Sequence, residues 1–270
     1  MTYKVGFIGC GNMASAIISG IIRAGYCSAD EIIAAEPTPE AREHAKQAFD
    51  IHVTDSNPYV VAEAQMIFLC VKPQVLDTVL AEIRDSVEDY RLIISIVAGT
   101  PLSHIAAQLG AETHPKLVRL MPNTPALVGQ GMTAVCAGAN VTEGDLQEVL
   151  KIAQSFGAAE LVPEHLFDTV TAVSGSSPAY VFLLMEAMAD AAVKGGMPRA
   201  QALRFAGQAV AGSAHLMLGT GRHPGELKDM VCSPAGTTID AVAVLEQEGF
   251  RGAVIKAMDA CRIRSGVLKS

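Results

Sequence analysis

Three small residues near the start of the chain have the spacing of a nucleotide-binding turn. Gly9, Gly11 and Ala14 form the pattern G-x-G-x-x-A between a short apolar run and a helix-like segment that begins at Asn12. The first glycine permits a tight bend, the second lets the backbone approach a pyrophosphate, and the third small residue lets helix and strand pack closely. The helix N-terminus directs unpaired N–H groups and a positive dipole end at the phosphates. The pattern predicts a bound dinucleotide cofactor that contacts Gly9, Gly11, Asn12 and Met13.

An acidic side chain follows this turn at the end of the second predicted strand. The carboxylate of Glu36 has the position from which an adenosine ribose 2′-OH is recognised in dinucleotide-binding folds. A 2′-phosphate would be repelled there unless a cation such as Arg42 approaches. The sequence therefore leaves the choice between NAD and NADP open, and a merely solvated Glu36 at a strand end is an equal alternative.

Further strand-like runs end at Val71, Val97 and Leu120, each close to a proline or glycine. Strands that alternate with helices predict a doubly wound, mainly parallel sheet, and such sheets bind ligands beyond the carboxyl ends of their strands. Asn57 is also expected to cap a helix that opens at Pro58. The residues predicted to bind the cofactor are Gly9, Gly11, Asn12, Met13, Glu36, Asn57, Val71, Lys72, Pro73, Val97, Ala98, Gly99, Met121, Pro122 and Asn123.

The pattern changes after Val162, because strand-like runs give way to helical periodicity that continues to the end of the chain. A domain boundary is predicted here, between residues 1–162 and residues 163–270. Two polar segments enter predicted helices in the second part, at Ser174–Pro178 and at Ser233–Ile239. Their hydroxyl and N–H groups suit a small carboxylate, although helix capping alone would also explain them.

Composition limits the function classes. Of 270 residues, 50% are hydrophobic and 18% are charged, which predicts an ordered chain with a substantial core. The net charge of −8 argues against nucleic acid and against a polybasic membrane contact. No apolar run is long enough to span a bilayer. The chain begins with a predicted strand and shows no signal-peptide pattern, so no signal peptide is expected. Six scattered cysteines predict no metal site and fit a cytoplasmic location with reduced thiols.

The motifs together resemble those of the pyrroline-5-carboxylate reductases, which reduce a cyclic imine to proline. The resemblance extends over the whole chain, and its segments are Phe7–Met13, Val71–Pro73, Arg119–Pro125, Ala172–Tyr180 and Leu227–Thr238. It implies an α/β Rossmann domain over residues 1–162 that binds NADPH, with NADH as an alternative. It also implies an all-α dimerisation and substrate-binding domain over residues 163–270.

The resemblance also implies a substrate and a site. The substrate would be 1-pyrroline-5-carboxylate, and its carboxylate would bind the loop Ser233–Thr238 of a partner subunit. Thr238, the expected catalytic residue, would form a hydrogen bond to the ring nitrogen. Homodimers, assembled in some cases into a larger ring such as a decamer, would then be required. The residues expected to bind the substrate are Ser174, Ser177, Ser233, Ala235, Gly236, Thr237 and Thr238.

Two other functions stay open at this point. A 3-hydroxyacid dehydrogenase would begin with the same glycine turn, but it carries a catalytic lysine after the domain boundary, and Ser174–Asp190 contains none. A non-catalytic NAD(P)-binding protein would keep the glycines without needing the Ser233–Thr238 loop. His165, His215 and His223 are candidate proton donors, although a single histidine in a helical region is more often structural.

Overall fold

The computed structural model describes residues 2–89, 91–110 and 114–267, and its contacts form two compact units. The first unit consists of the chain up to Ser176 together with the C-terminal segment from Cys261 onward. The second unit is Ser177–Ala260, and it is built from helices. An α/β domain followed by a helical region is therefore confirmed, while the boundary between residues 162 and 163 stays a prediction.

The first unit contains an eight-stranded sheet in the order β3-β2-β1-β4-β5-β6-β7-β8. All neighbouring strands are parallel except β6 and β7. The winding direction reverses between β1 and β4, and ligands bind parallel sheets at such a reversal. The strands are β1 Tyr3–Ile8, β2 Ile32–Ala35, β3 His52–Thr54, β4 Ala64–Leu69, β5 Leu92–Ser95, β6 Lys116–Met121, β7 Gly131–Ala137 and β8 Gly157–Leu161.

The helices of the first unit begin where the sequence offers caps and prolines. The Thr38 and Thr142 side chains accept hydrogen bonds from N–H groups of the first turns of α2 and α6, and Pro39 and Pro73 open α2 and α4. These helices are α1 Asn12–Arg23, α2 Pro39–Phe49, α3 Asn57–Glu63, α4 Pro73–Ile83, α5 Leu102–Leu109, α6 Glu143–Gln154 and α7 Phe167–Val170.

The central strands β1, β2, β4 and β5 are buried on both faces of the sheet, toward which their side chains point alternately. In β4, Phe68 belongs to the apolar cluster on one face and Ile67 to the cluster on the other. Phe7 of β1 stacks on Phe68, with ring centroids 5.0 Å apart. Each such buried side chain contributes roughly 1.5–3 kcal/mol to folding. The strand ends that form the site are thus held by an apolar cluster on each face of the sheet.

Helix α1 approaches the turn before β8 closely through Gly20. A Cβ atom at Gly20 would lie 2.9 Å from the Phe156 Cβ and 3.1 Å from the Ser155 carbonyl oxygen. These distances are too short for a side chain, so glycine is required at this contact. The contact fixes the carboxyl-terminal half of α1 against the sheet.

The second unit buries little apolar surface of its own. Over Ser177–Ala260, a range described throughout, the buried hydrophobic residues are Ala189, Ala202 and Ala206. Phe182 and Phe205 are exposed by 63% and 62% of their surface. No described helix is long and apolar enough to cross a membrane. The remaining helices of the chain are α8 Ser177–Lys194, α9 Arg199–Thr220, α10 Pro224–Val231, α11 Thr237–Gln247 and α12 Phe250–Val267.

Candidate active site

The turn after β1 has the geometry that the glycine pattern predicts. Gly9 has a φ of +90°, and its N–H donates to the Ala35 carbonyl over 2.9 Å. A Cβ atom at this position would lie 2.7 Å from the backbone oxygen of Cys70. Both the backbone angle and the close approach exclude larger residues, so Gly9 holds the ends of β1, β2 and β4 together.

Gly11 has a different role. It is the N-cap of α1, with φ −75° and ψ −170°, and no side chain caps the helix there. A Cβ at Gly11 would meet no protein atom within 4 Å, so the space in front of it is open. Ala14, one turn further, is buried against the sheet. The N–H groups of the first turn are thus presented to a ligand, as pyrophosphate binding requires.

A cleft of about 380 Å³ opens in front of this helix end, within the first unit. It brings together strand ends that are far apart in the sequence but adjacent in the sheet, as the reversal between β1 and β4 requires. Ten of the residues predicted to bind the cofactor line it, namely Gly11, Asn12, Met13, Val71, Lys72, Pro73, Val97, Ala98, Met121 and Pro122. Ala14, Cys70 and Ile96 also line it, although they are not among the predicted cofactor contacts. Cys70 and Ile96 directly precede Val71 and Val97, so their positions at predicted strand ends could have identified them as cleft residues.

Two predicted residues have side chains that are engaged elsewhere. Asn57 does not cap α3, because Ser56 is the N-cap and its hydroxyl accepts from the Tyr59 N–H at 3.2 Å. The Asn57 amide instead donates to Glu82 at 2.8 Å. The buried Asn123 amide donates to the Ser174 carbonyl at 3.0 Å and accepts from the Met132 N–H at 2.9 Å. Neither residue is among those that line the cleft. Asn123 instead connects the segments that contain Ser174 and Met132.

Glu36 contacts the glycine turn directly. Its carboxylate accepts a hydrogen bond from the N–H of Cys10, the residue between the two glycines. Arg42 lies next to it, and its Nη1 donates to the carbonyl oxygens of Glu36 and Pro37 over 2.6 and 3.0 Å. Burial and the Glu36 carboxylate raise the pKa of the Cys10 thiol to about 11, so this thiol is protonated and inert near neutral pH.

The predicted loop at Ser174 is helical, which corrects the sequence analysis. Thr171–Gly175 form a π-helical turn between α7 and α8, and Ser174 Oγ donates to the Val170 carbonyl at 3.2 Å. Gly175 packs against Met121, since a Cβ there would lie 2.8 Å from the Met121 methyl carbon. Such single π turns are frequent at functional sites. Ser177 begins α8 in the second unit.

The second polar segment is a tight turn at the start of α11. The Gly236 N–H donates to the Ser233 carbonyl at 3.0 Å, and Ala235 has a φ of +56°. Gly236 is the N-cap, and a Cβ there would lie 2.3 Å from the Ser233 hydroxyl oxygen. Thr237 and Thr238 are the first residues of the helix, and Thr238 is half-buried. The turn places hydroxyl groups beside the unpaired N–H groups of a helix N-terminus, where a carboxylate binds favourably.

Two of the three candidate histidines, His165 and His215, are exposed. His223 is the N-cap of α10, and its Nδ1 accepts from the Gly225 N–H at 3.1 Å. In the described part of the chain, no three histidine, cysteine, aspartate or glutamate side chains are grouped as a metal site requires.

Comparison with known proteins agrees with this geometry. Residues 164–268 match the family model described as pyrroline-5-carboxylate reductase dimerisation, and residues 4–99 match that of the NADP oxidoreductases, coenzyme F420-dependent. The pyrroline-5-carboxylate reductase of Escherichia coli (strain K12) is 51% identical over 265 residues, which cover 98% of both chains. That of Methanosarcina acetivorans is 43% identical over 97% of this chain and 96% of its own.

A solved structure shows the same similarity in three dimensions. The NADP-bound pyrroline carboxylate reductase of Plasmodium falciparum matches with a TM-score of 0.89 and 31% identity, over 99% of this chain and 98% of its own. Sequence identity and fold agree along nearly the whole length of the chain. The chain therefore belongs to the pyrroline-5-carboxylate reductase family.

Proposed function

We propose that this protein reduces 1-pyrroline-5-carboxylate to L-proline, the last step of proline biosynthesis, with NADPH as the hydride donor. The observation that carries the proposal is the turn Ser233–Thr238 at the N-terminus of α11, in a chain related over nearly its full length to reductases of this name. The turn offers what the carboxylate of a small cyclic imine needs, namely N–H groups and hydroxyls at a positive helix end.

The cleft of the first unit is the proposed cofactor site. The open space before Gly11 and the presented N–H groups of α1 fit a dinucleotide pyrophosphate. A bound NADP in the Plasmodium relative and the match of residues 4–99 to NADP oxidoreductases support NADPH, with NADH as a further donor. The cofactor supplies the hydride when bound, and the residues of the chain hold and orient the reactants.

Thr238 is the proposed catalytic residue. In the first turn of α11 it lies beside the proposed carboxylate site, and its hydroxyl would donate a hydrogen bond to the ring nitrogen. Ser233 and the backbone N–H groups would hold the carboxylate, with Ala235, Gly236 and Thr237 shaping the turn. A protonated imine is already electrophilic, so no strong protein acid is required. His223, a candidate proton donor, is instead engaged as a helix cap, since its Nδ1 accepts the Gly225 N–H.

We further propose a homodimer, or a larger ring such as a decamer, in which this turn serves the cofactor cleft of a partner subunit. The exposed apolar side chains of α8 and α9 and the description of the matched dimerisation model support an obligate homo-oligomer. A cytoplasmic location is also proposed. Its support is that Cys10, Cys27, Cys70, Cys136, Cys232 and Cys261 are all free thiols.

The first experiment follows the absorbance of NADPH and of NADH when the purified protein is mixed with 1-pyrroline-5-carboxylate. Oxidation that depends on the imine and yields proline is the expected result. Cofactor binding without turnover of the imine would contradict the proposal and favour a non-catalytic NAD(P)-binding protein. Turnover of a 3-hydroxyacid with NAD(P)⁺, but not of the imine, would instead assign the chain to that class of dehydrogenase.

A further inference from the structure

One acidic and one basic side chain each bond to backbone near the end of β2. Glu36 continues the ladder beyond the strand, because its N–H donates to the Thr54 carbonyl at 3.0 Å. Its carboxylate bends back to the phosphate turn, where it accepts the Cys10 N–H. The carboxylate is therefore held at the junction between the glycine turn and β2 by a hydrogen bond to the backbone.

Arg42 is held on the same segment. It lies in the first half of α2, and its guanidinium donates to the two consecutive carbonyl groups of Glu36 and Pro37. Both side chains are partly buried, so their charges are less screened than those of fully exposed residues. A positive and a negative group are thus fixed within one short stretch of backbone.

This stretch is where dinucleotide-binding folds receive the adenosine ribose. A carboxylate accepts hydrogen bonds from the ribose 2′-OH but repels a 2′-phosphate, whereas a guanidinium binds the phosphate. We infer that Glu36 is a specificity-determining residue that opposes the 2′-phosphate, with Arg42 as its counter-charge. The protein consequently accepts both NADPH and NADH. Its preference for NADPH over NADH is smaller than it would be with Arg42 but without the Glu36 carboxylate. This inference rests on the proposed function.

Calorimetric titration of the full-length protein with NADP⁺ and with NAD⁺ tests the inference without any turnover. In Glu36→Gln, the amide oxygen still accepts the Cys10 N–H, so the turn keeps its shape while the charge is lost. We expect NADP⁺ to bind about tenfold more tightly and NAD⁺ a few-fold more weakly, as removal of one nearby like charge implies. The ratio of kcat/KM values for NADPH and NADH moves in the same direction.

The matched control is Glu43→Gln. Glu43 is exposed on the same helix and bonds to Gln47 at 2.7 Å, so the substitution removes the same charge away from the turn. We expect both affinities to stay within twofold of the parent protein. The converse variant, Arg42→Gln, is expected to weaken NADP⁺ about tenfold and to leave NAD⁺ nearly unchanged.

Equal changes in NADP⁺ and NAD⁺ affinity in Glu36→Gln would overturn the inference, because they would indicate a role in turn shape alone. An unchanged ratio, or the same shift in Glu43→Gln, would overturn it as well. The expected shift in binding together with no reduction of the imine would support the inference and contradict the proposed function, so the two failures are distinguishable.

Discussion

The two units of this protein bury their apolar side chains in opposite ways. In the first unit, large side chains such as Phe7, Phe68 and Phe156 are fully buried on the faces of the sheet. In the second, described from Ser177 to Ala260, alanines are the buried hydrophobic residues, while Leu183 and Leu218 are exposed by 69% and 74%. The first unit thus has a core of its own, and the second has long helices whose apolar side chains are largely exposed, as the proposed homo-oligomer would require.

The difference means that the proposed cofactor turn and the proposed substrate turn are stabilised in different ways. The proposed cofactor turn is fixed by a core within one chain, whereas the proposed substrate turn lies on helices that the proposed homo-oligomer would bury. Substitutions that affect only one unit should therefore separate the two tasks.

A charge on the exposed apolar face of α9 should have the largest effect. Phe205→Asp places a carboxylate where the proposed homo-oligomer would bury apolar surface, and desolvating that charge is costly. We expect dissociation into monomers in sedimentation velocity and a loss of imine reduction on the order of a hundredfold or more. NADP⁺ binding, measured by calorimetry, should persist because the first unit has its own core.

The matched control is Tyr59→Asp, which places the same charge on an aromatic side chain that is 48% exposed in the first unit. This variant should keep its oligomeric state and its activity. A dimeric Phe205→Asp protein with full activity would refute the division between the units.

Alanine substitutions at the two glycines of the phosphate turn should have different effects, one on stability and the other on NADP⁺ affinity. Gly9→Ala forces a φ of +90° on a residue with a Cβ atom and a contact of 2.7 Å with the Cys70 oxygen, which should lower the free energy of unfolding by roughly 2 kcal/mol or more. Gly11→Ala meets no protein atom, so stability should hold while NADP⁺ affinity falls. Denaturant unfolding and calorimetry measure the two effects, and equal stability losses would contradict the assignment.

A smaller effect is expected from the hydroxyl at the substrate turn. Thr238→Ala should lower kcat/KM for the imine about tenfold, the value of one hydrogen bond formed in the transition state, without changing NADP⁺ affinity. Thr238→Ser should restore most of the activity because it keeps the hydroxyl group. Full activity in the alanine variant would remove Thr238 from the catalytic role.

The smallest expected effect concerns alkaline pH and belongs to the first unit. Burial, together with a neighbouring acid in each case, raises the thiol pKa of Cys10 and of Cys27 from 9.0 to about 11, and burial raises that of Cys70 as well. Folding therefore favours the protonated thiols. Their contribution to stability is fully present below pH 9 and is lost as the pH rises through about 11.

Urea unfolding at about pH 8 and about pH 10 would measure this loss. The Cys27→Ala variant should lose less stability than the parent protein over that interval, since one of the titrating thiols is gone. An identical loss in both proteins would show that other groups cause the alkaline instability.

Much of the fold was predictable because its signals are local. Strand-like runs ending in glycine or proline gave the sheet, and helical periodicity after Pro163 gave the helical region, since each depends on a few neighbouring residues. The cleft-lining residues were predictable for the same reason, because parallel strands end at one rim.

The errors concern contacts between distant segments. Asn57 has the right chemistry for a cap, but Ser56 is the residue with extended backbone at that position. The Asn123 amide bonds to Ser174 and Met132, and Ser174 lies in a π-helical turn. No local pattern encodes such pairings, so neither the Asn123 hydrogen bonds nor the π-helical turn at Ser174 was predicted. The contacts of Asn123 with the cofactor and of Ser174 with the substrate stay predictions.

Helix α1 is a rod of twelve residues, or roughly 18 Å, with the phosphate end at Gly11 and the close contact of Gly20 with Phe156 near its other end. Because a helix is rigid over this length, a change at the Gly20 contact is expected to displace the whole helix. Replacing Gly20 with a larger residue would therefore be expected to displace the N–H groups at the other end of α1, which are the proposed phosphate-binding groups. The proposed cofactor site thus depends on a glycine that is not among the residues lining the cleft.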